Sequence, residues 1–140
     1  RNLDLLKKIS DKFGLIIKFI TPEWPCHKYG EDLRDVGPIE FLSLIMNATI
    51  VCTNSFHGTA LSIKLETPFY VLEGKNIVDE RKRSILRQLN LENRIISSCE
   101  EIDEIEDYNI NFENINIELS KLIETSNLYL KKALCIEEEK

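Results

Sequence analysis

The run Thr53-Asn54-Ser55-Phe56-His57-Gly58-Thr59 brings together the residue types best suited to chemistry in this chain. It follows a short apolar segment, Thr49–Thr53 (TIVCT), and leads into a helical pattern over His57–Leu65. The first amides of a helix have no partner within the helix, and the aligned peptide dipoles add roughly half a positive charge there. Ser55 and Thr59 add hydroxyl donors, and Asn54 adds a side-chain amide. Gly58 is small enough for close backbone approach. The imidazole of His57 can donate a proton or carry charge near neutrality. Such a turn suits a phosphate or a carboxylate. A plainer reading makes Ser55 only a helix cap and His57 a structural histidine, and spacing alone leaves both open.

Three further groups fall near the same end of the chain's strands. The stretch Thr21–Asp35 holds Glu23, Trp24, His27, Tyr29 and Arg34. An aromatic beside hydrogen-bonding groups suits a sugar, whereas a surface loop anchored by Trp24 would need no ligand. Glu73-Gly74-Lys75-Asn76 follows another apolar run, and Arg81 and Arg83 open the next helix, where they could neutralise a phosphate. A solvated helix face is the simpler account of those arginines.

The elements that must position these residues alternate along the chain. Asn2–Phe13 has apolar residues at helical spacing and ends at Gly14, a helix C-cap. Leu15–Ile20 (LIIKFI) is expected to be a buried strand, and 21–35 a loop. Gly37-Pro38 begins a helix with Phe41, Leu42, Ile45 and Ala48 on its buried face. After the TIVCT strand and the His57–Leu65 helix come a strand at Pro68–Leu72 (PFYVL), a helix from Asp79 to Leu89 and a strand at Arg94–Ser97. An acidic turn or helix near Glu100–Ile105 and a long amphipathic helix over 112–136 complete the order. Alternation of this kind predicts an α/β fold: a parallel sheet of four strands with helices on both faces. Ligands in such sheets bind at the carboxyl ends of strands. Four strands make a thin sheet, so at least one more is expected upstream of Arg1.

Composition narrows the options. The 140 residues are 43% apolar and 30% charged, which supports one packed domain and argues against disorder. The net charge of −6 makes nucleic acid or an anionic membrane a poor partner. No apolar run is long enough for a membrane span. The cysteines, at 26, 52, 99 and 135, form no CxxC pair, which argues against a zinc or redox motif and fits a reducing cytoplasm. Acidic residues are too scattered for a magnesium cage. No metal or cofactor is implied.

The pattern Gly37-Pro38-Ile39-Glu40-Phe41-Leu42, Asn47-Ala48, Val51-Cys52-Thr53-Asn54-Ser55-Phe56-His57-Gly58-Thr59-Ala60-Leu61-Ser62 and Pro68-Phe69 resembles the polysaccharide pyruvyl transferase family. Arg81–Leu91 with Arg94, and the terminal Tyr129–Leu134, resemble that family's later helix, strand and last helix, so the likeness extends over 1–135. It implies the carboxy-terminal half of a glycosyltransferase-B-like enzyme, with two Rossmann-like halves around a cleft and residues 1–140 as one of them. It further implies transfer of pyruvyl from phosphoenolpyruvate to a bacterial surface sugar as a ketal. His57 would then be catalytic. Ser55 and Thr59 would be its anion ligands, and the turn and rim together give Ser55, Thr59, Asn54, Gly58, His27, Arg34, Arg81 and Arg83 as the substrate-binding candidates. Partners would be the phosphoenolpyruvate donor, a saccharide acceptor and an amino-terminal half, without which the 140 residues are expected to be inactive. The location implied is cytoplasmic, with the inner membrane face as an option. In other branches of the family this turn reads Ser-x-Arg-x-His; here the Arg position holds His57 and the His position holds Thr59. Two other classes remain open: a nucleotide-sugar glycosyltransferase domain and a non-catalytic anion-binding α/β module.

Overall fold

The computed structural model describes residues 2–20, 29–73 and 79–134. At its centre lies the strand Phe69–Leu72, every residue of which is buried. In the order of the chain it is β4. The elements before it are α1 (Leu3–Phe13), β1 (Lys18–Phe19), β2 (Glu31–Asp32), α2 (Pro38–Met46), β3 (Val51–Thr53) and α3 (Phe56–Lys64). After it come α4 (Glu80–Gln88), β5 (Ile95–Ile96), α5 (Cys99–Asp103) and α6 (Phe112–Ala133).

Strands β3, β4 and β5 form a parallel sheet in that order, with Thr53 opposite Val71 and Leu72 opposite Ile96. Successive side chains of a strand point to opposite faces, so an unbroken apolar run implies cover on both. On one face Phe69 and Val71 pack with Ile63, Leu86, Leu89 and Ile115, from α3, α4, the turn after α4, and α6. On the other, Tyr70 and Leu72 pack with Leu5, Ile9 and Ile102, from α1 and α5. The fold is α/β, with helices on both faces of a parallel sheet, as the alternation predicts.

The sheet differs from the expected one in two respects. There are five described strands rather than four, and they form two separate parallel groups. The expected strand at 15–20 contracts to Lys18–Phe19, with Ile16 85% exposed. Its partner is Glu31–Asp32, inside the stretch read as loop. Two polar residues carry no alternation to read. Their pairing is made by the backbone alone, with the Glu31 amide donating to Ile17 O at 2.9 Å and the Leu33 amide to Phe19 O at 2.9 Å. A Cβ at residue 30 would strike the Ile17 carbonyl oxygen, so glycine is required before the strand.

Local chemistry fixes the helix ends. Gly14, at φ 65°, closes α1 through its amide to Ser10 O. Lysines on α1 reach the carboxyl end of α5: Lys12 Nζ donates to Ile102 O at 2.7 Å and to Asp103 O at 2.8 Å. A cation there meets the negative end of the helix dipole. Ser98 caps α5, and Glu101 reaches back to the Ser97 amide at 3.1 Å. Arg94 is buried and donates to Tyr108 O at 2.9 Å, Asn109 O at 2.5 Å and the Tyr70 hydroxyl at 3.3 Å. This fastens the connection into α6 beneath the sheet.

The two halves of α6 behave differently. Ile115 is buried, and Phe112, Leu119 and Leu122 pack against the first core cluster. From Ile123 to Leu134 every residue is exposed, including Leu128, Tyr129, Leu130 and Leu134. The positions beyond 134 that were expected to continue this helix lie outside the described residues.

Candidate anion site at the start of α3

The turn between β3 and α3 is built by short side chains. Thr53 Oγ1 accepts from the Ser55 amide at 3.1 Å. Ser55 is extended, with φ −98° and ψ 142°, and its Oγ accepts from the Gly58 amide at 3.1 Å. Ser55 O in turn accepts from the Thr59 amide at 3.1 Å and from Thr59 Oγ1 at 3.0 Å. This is a serine N-cap, which satisfies one of the orphan amides of the first turn. The amides of Phe56 and His57 precede the first intrahelical bond and face outward. No acidic residue stands in the first turn of α3, whereas each of the other five described α-helices has one. The positive end of its dipole is therefore not neutralised locally.

Asn54, Ser55 and His57 are exposed at this turn. The Phe56 and His57 rings meet edge to face, 6.1 Å apart at 81°. The Arg81 guanidinium lies over the Phe56 ring, 5.6 Å from its centroid. Between α4 and α6 a groove of about 700 Å³ opens beside it, lined by Phe56, Arg81, Ser84, Gln88, Leu122 and Asn127.

Helix α4 closes the other side. Asp79 caps it, accepting from the Arg81 amide at 3.1 Å, and pairs with the Arg81 side chain at 3.0 and 2.9 Å. The Arg81 hydrogen bonds hold the Asp79 carboxyl below its usual range. Arg83 Nη2 donates to Glu73 Oε2 at 2.8 Å. Glu73 is buried at the end of β4, and among the described residues its Oε1 and Arg83 Nε have no hydrogen-bond partner. Between the arginines, Lys82 is only 6% exposed and its Nζ donates to Asn54 O at 2.8 Å.

The expected site residues therefore fall into groups. Asn54, Ser55, His57 and Gly58 do share one turn, and Arg81 adjoins it through Phe56. Thr59 does not offer its hydroxyl as a ligand, being fully buried with that hydroxyl bonded to Ser55 O. At helix position four past the cap, its side chain reaches back one turn instead of out. Gly58 is buried with its amide taken by the cap, so its part is close packing on β3. Arg83 serves Glu73. Arg34 is exposed beyond β2, in the other strand pair, and no described contact joins it to α3. His27, with Glu23 and Trp24, lies outside the described residues, as do Gly74, Lys75 and Asn76.

Lys82 escaped the sequence reading. Its signal was helical spacing: four residues before Leu86 and seven before Leu89, both core residues, it stands on the inward stripe of α4. Among the described residues no cluster of His, Cys, Asp or Glu is placed to hold a metal ion, and no helix is long and apolar enough to cross a membrane.

These features define an α/β domain whose parallel sheet presents a serine-capped helix start, with no acidic residue in its first turn, at the carboxyl ends of its strands. The polysaccharide pyruvyl transferase family model matches residues 2–76, over half of the chain and including this whole turn, and the chain belongs to that family. The match ends before α4, so the likeness drawn over 81–135 lies outside it. Searches among curated proteins and among solved structures found no match.

Proposed function

We propose that this domain binds phosphoenolpyruvate at the start of α3 and serves in transferring its pyruvyl group to a saccharide as a cyclic ketal. The observation that carries this reading is the β3–α3 turn itself. Two outward amides, an exposed imidazole and a helix start without a neutralising acid converge there, in a chain of the pyruvyl transferase family.

The chemistry asked of the site can be stated bond by bond. The enol carbon of the donor loses its bond to the phosphate oxygen and its π bond to the methylene carbon, and gains two bonds to saccharide oxygens. The methylene carbon takes up one proton and becomes methyl. Of the two protons leaving the hydroxyls, one balances this methyl proton and the other leaves with phosphate. Helix-start amides would hold the donor's phosphate or carboxylate where negative charge grows on departure. His57, on the rim beside them, can deliver the methylene proton or contact the phosphate. Ser55 would keep its cap and hold those amides in place.

The same reading treats the chain as one Rossmann-like half of a glycosyltransferase-B-like enzyme that works in the cytoplasm. The exposed apolar residues of α6 beyond Leu122 support a second half packed there.

An amide-resolved NMR titration tests the donor. Phosphoenolpyruvate is expected to shift Ser55–Gly58, and His57→Ala to weaken the response. A response only to a uridine-diphosphate sugar would replace this reading with a glycosyltransferase. If His57→Ala in the complete protein left its biological activity intact, a non-catalytic module would be the better account.

A further inference from the structure

Lys82 is a lysine where lysines are rarely found. It is 6% exposed, on the inward stripe of α4, with its ammonium against the β3–α3 turn. An ammonium has three N–H donors. One reaches Asn54 O at 2.8 Å, and no other acceptor for it is found among the described residues. The two nearby carboxylates are already engaged, Asp79 by Arg81 and Glu73 by Arg83. Among the described residues no direct ion pair includes Lys82; the Asp79 carboxylate attracts it from farther off but is paired directly with Arg81. A buried charge without a direct counter-ion is costly, and proteins that keep one give it a partner.

The position of the ammonium says what that partner is. Asn54 O, which it touches, is one residue before the Ser55 cap and two before the first outward amide of α3. Lys82 thus adds a full positive charge beside the partial one of the helix start. Arg81 cannot do so as freely, because Asp79 holds its guanidinium on two bonds. We propose that Lys82 is the fixed cation of this site, donating from Nζ to the phosphate or carboxylate of an anion seated on the Phe56 and His57 amides. This rests on the same turn as the function proposed above and assigns it a ligand residue that lies outside the family match.

The test uses inorganic phosphate and phosphoenolpyruvate as separate probes at constant ionic strength. In the wild-type protein the Lys82 Nζ proton–nitrogen resonance is expected to move on adding phosphate, together with the Phe56 and His57 amides. Lys82→Met keeps the aliphatic stem and is expected to bind phosphate roughly tenfold or more weakly, the worth of one charge-assisted hydrogen bond. Lys82→Arg should recover part of the loss. Should the methionine variant not fold, the wild-type Nζ resonance decides alone. A motionless Nζ resonance, unchanged phosphate affinity in a folded Lys82→Met protein, or a wild-type protein that binds no phosphate would each overturn the proposal. Phosphate binding through Lys82 without any phosphoenolpyruvate response would leave Lys82 in place and remove the pyruvyl donor. Phosphoenolpyruvate shifts at α3 that bypass Lys82 would do the reverse.

Discussion

Thr53 Oγ1 fills the space that a Cβ on Gly58 would need. That side chain also accepts from the Ser55 amide, so one threonine both shapes the turn and sets the distance between β3 and α3. The glycine is not there for an unusual backbone angle, since it lies in ordinary helical conformation. It is there because the first turn of α3 rests directly on the end of β3.

Gly58→Ala is therefore expected to destabilise the protein, although alanine is the better helix former by about 1 kcal/mol. Overpacking of this kind costs typically 1–3 kcal/mol, which outweighs the propensity gain. Thr53→Ala in the same chain should recover part of the loss by removing Oγ1. Urea unfolding of the single and double variants measures this. A Gly58→Ala protein more stable than wild type would show that α3 does not sit so close.

Ser55→Ala removes the cap while leaving the turn's sequence otherwise intact. The Gly58 amide loses its acceptor, and the expected cost is about 1 kcal/mol. Binding should suffer more than stability, because the Phe56 and His57 amides lose their fixed direction. Thermal unfolding and the phosphate titration, run on the same variant, separate the two effects. Equal phosphate affinity in wild type and variant would show that the cap does not organise the site.

How much of this was legible in advance depended on what each element uses to declare itself. PFYVL is apolar throughout and buried on both faces, so its residues announced a central strand. The β3–α3 turn was readable because a serine cap and a following helix leave a local pattern. Glu31–Asp32 was not, because a two-residue strand held by backbone bonds leaves no mark in side-chain type. Thr59 looked like a ligand because it is polar and near, but helix geometry turns its hydroxyl back on Ser55 O. Lys82 was hidden for the opposite reason: charge suggests surface, and only its spacing from Leu86 placed it inward.

Arg94 holds the segment before α6 through two backbone carbonyls and the Tyr70 hydroxyl. Arg94→Met keeps part of the stem but leaves the Tyr108 and Asn109 carbonyls without their donor. Hydrogen bonds to charged groups contribute about 1.5–3 kcal/mol each, and the variant is expected to lose roughly 2–4 kcal/mol. Hydrogen exchange should quicken in α5 and in the first turns of α6 before it does in β4. Uniform quickening across the chain would argue against a local fastening role.

The Cys52 thiol is pushed up to about 12 by burial. The thiolate is the reactive form, and a raised pKa leaves very little of it at pH 8. Cys52 is expected to resist alkylation by iodoacetamide in the native protein and to react readily in urea, as mass spectrometry of the labelled peptide would read. Rapid native labelling at residue 52 would mean that β3 is open to solvent.

Asp79 is half-buried, and the Arg81 hydrogen bonds lower its pKa. Its carboxylate is thus favoured by folding. A group shifted downward adds stability above its unfolded value, about 3.9, and loses it as pH falls through the lower folded value. Asp79→Asn keeps a competent N-cap and removes only the charge. At pH 7 the wild type should therefore unfold at a slightly higher temperature than the variant. That difference should shrink below about pH 4 and vanish once the wild-type carboxyl is protonated in both states. High salt at pH 7 should reduce it as well, because the Arg81 side of the pair is open to solvent. A difference that persists unchanged at pH 2 would assign the effect to capping geometry rather than to the charge that Arg81 meets.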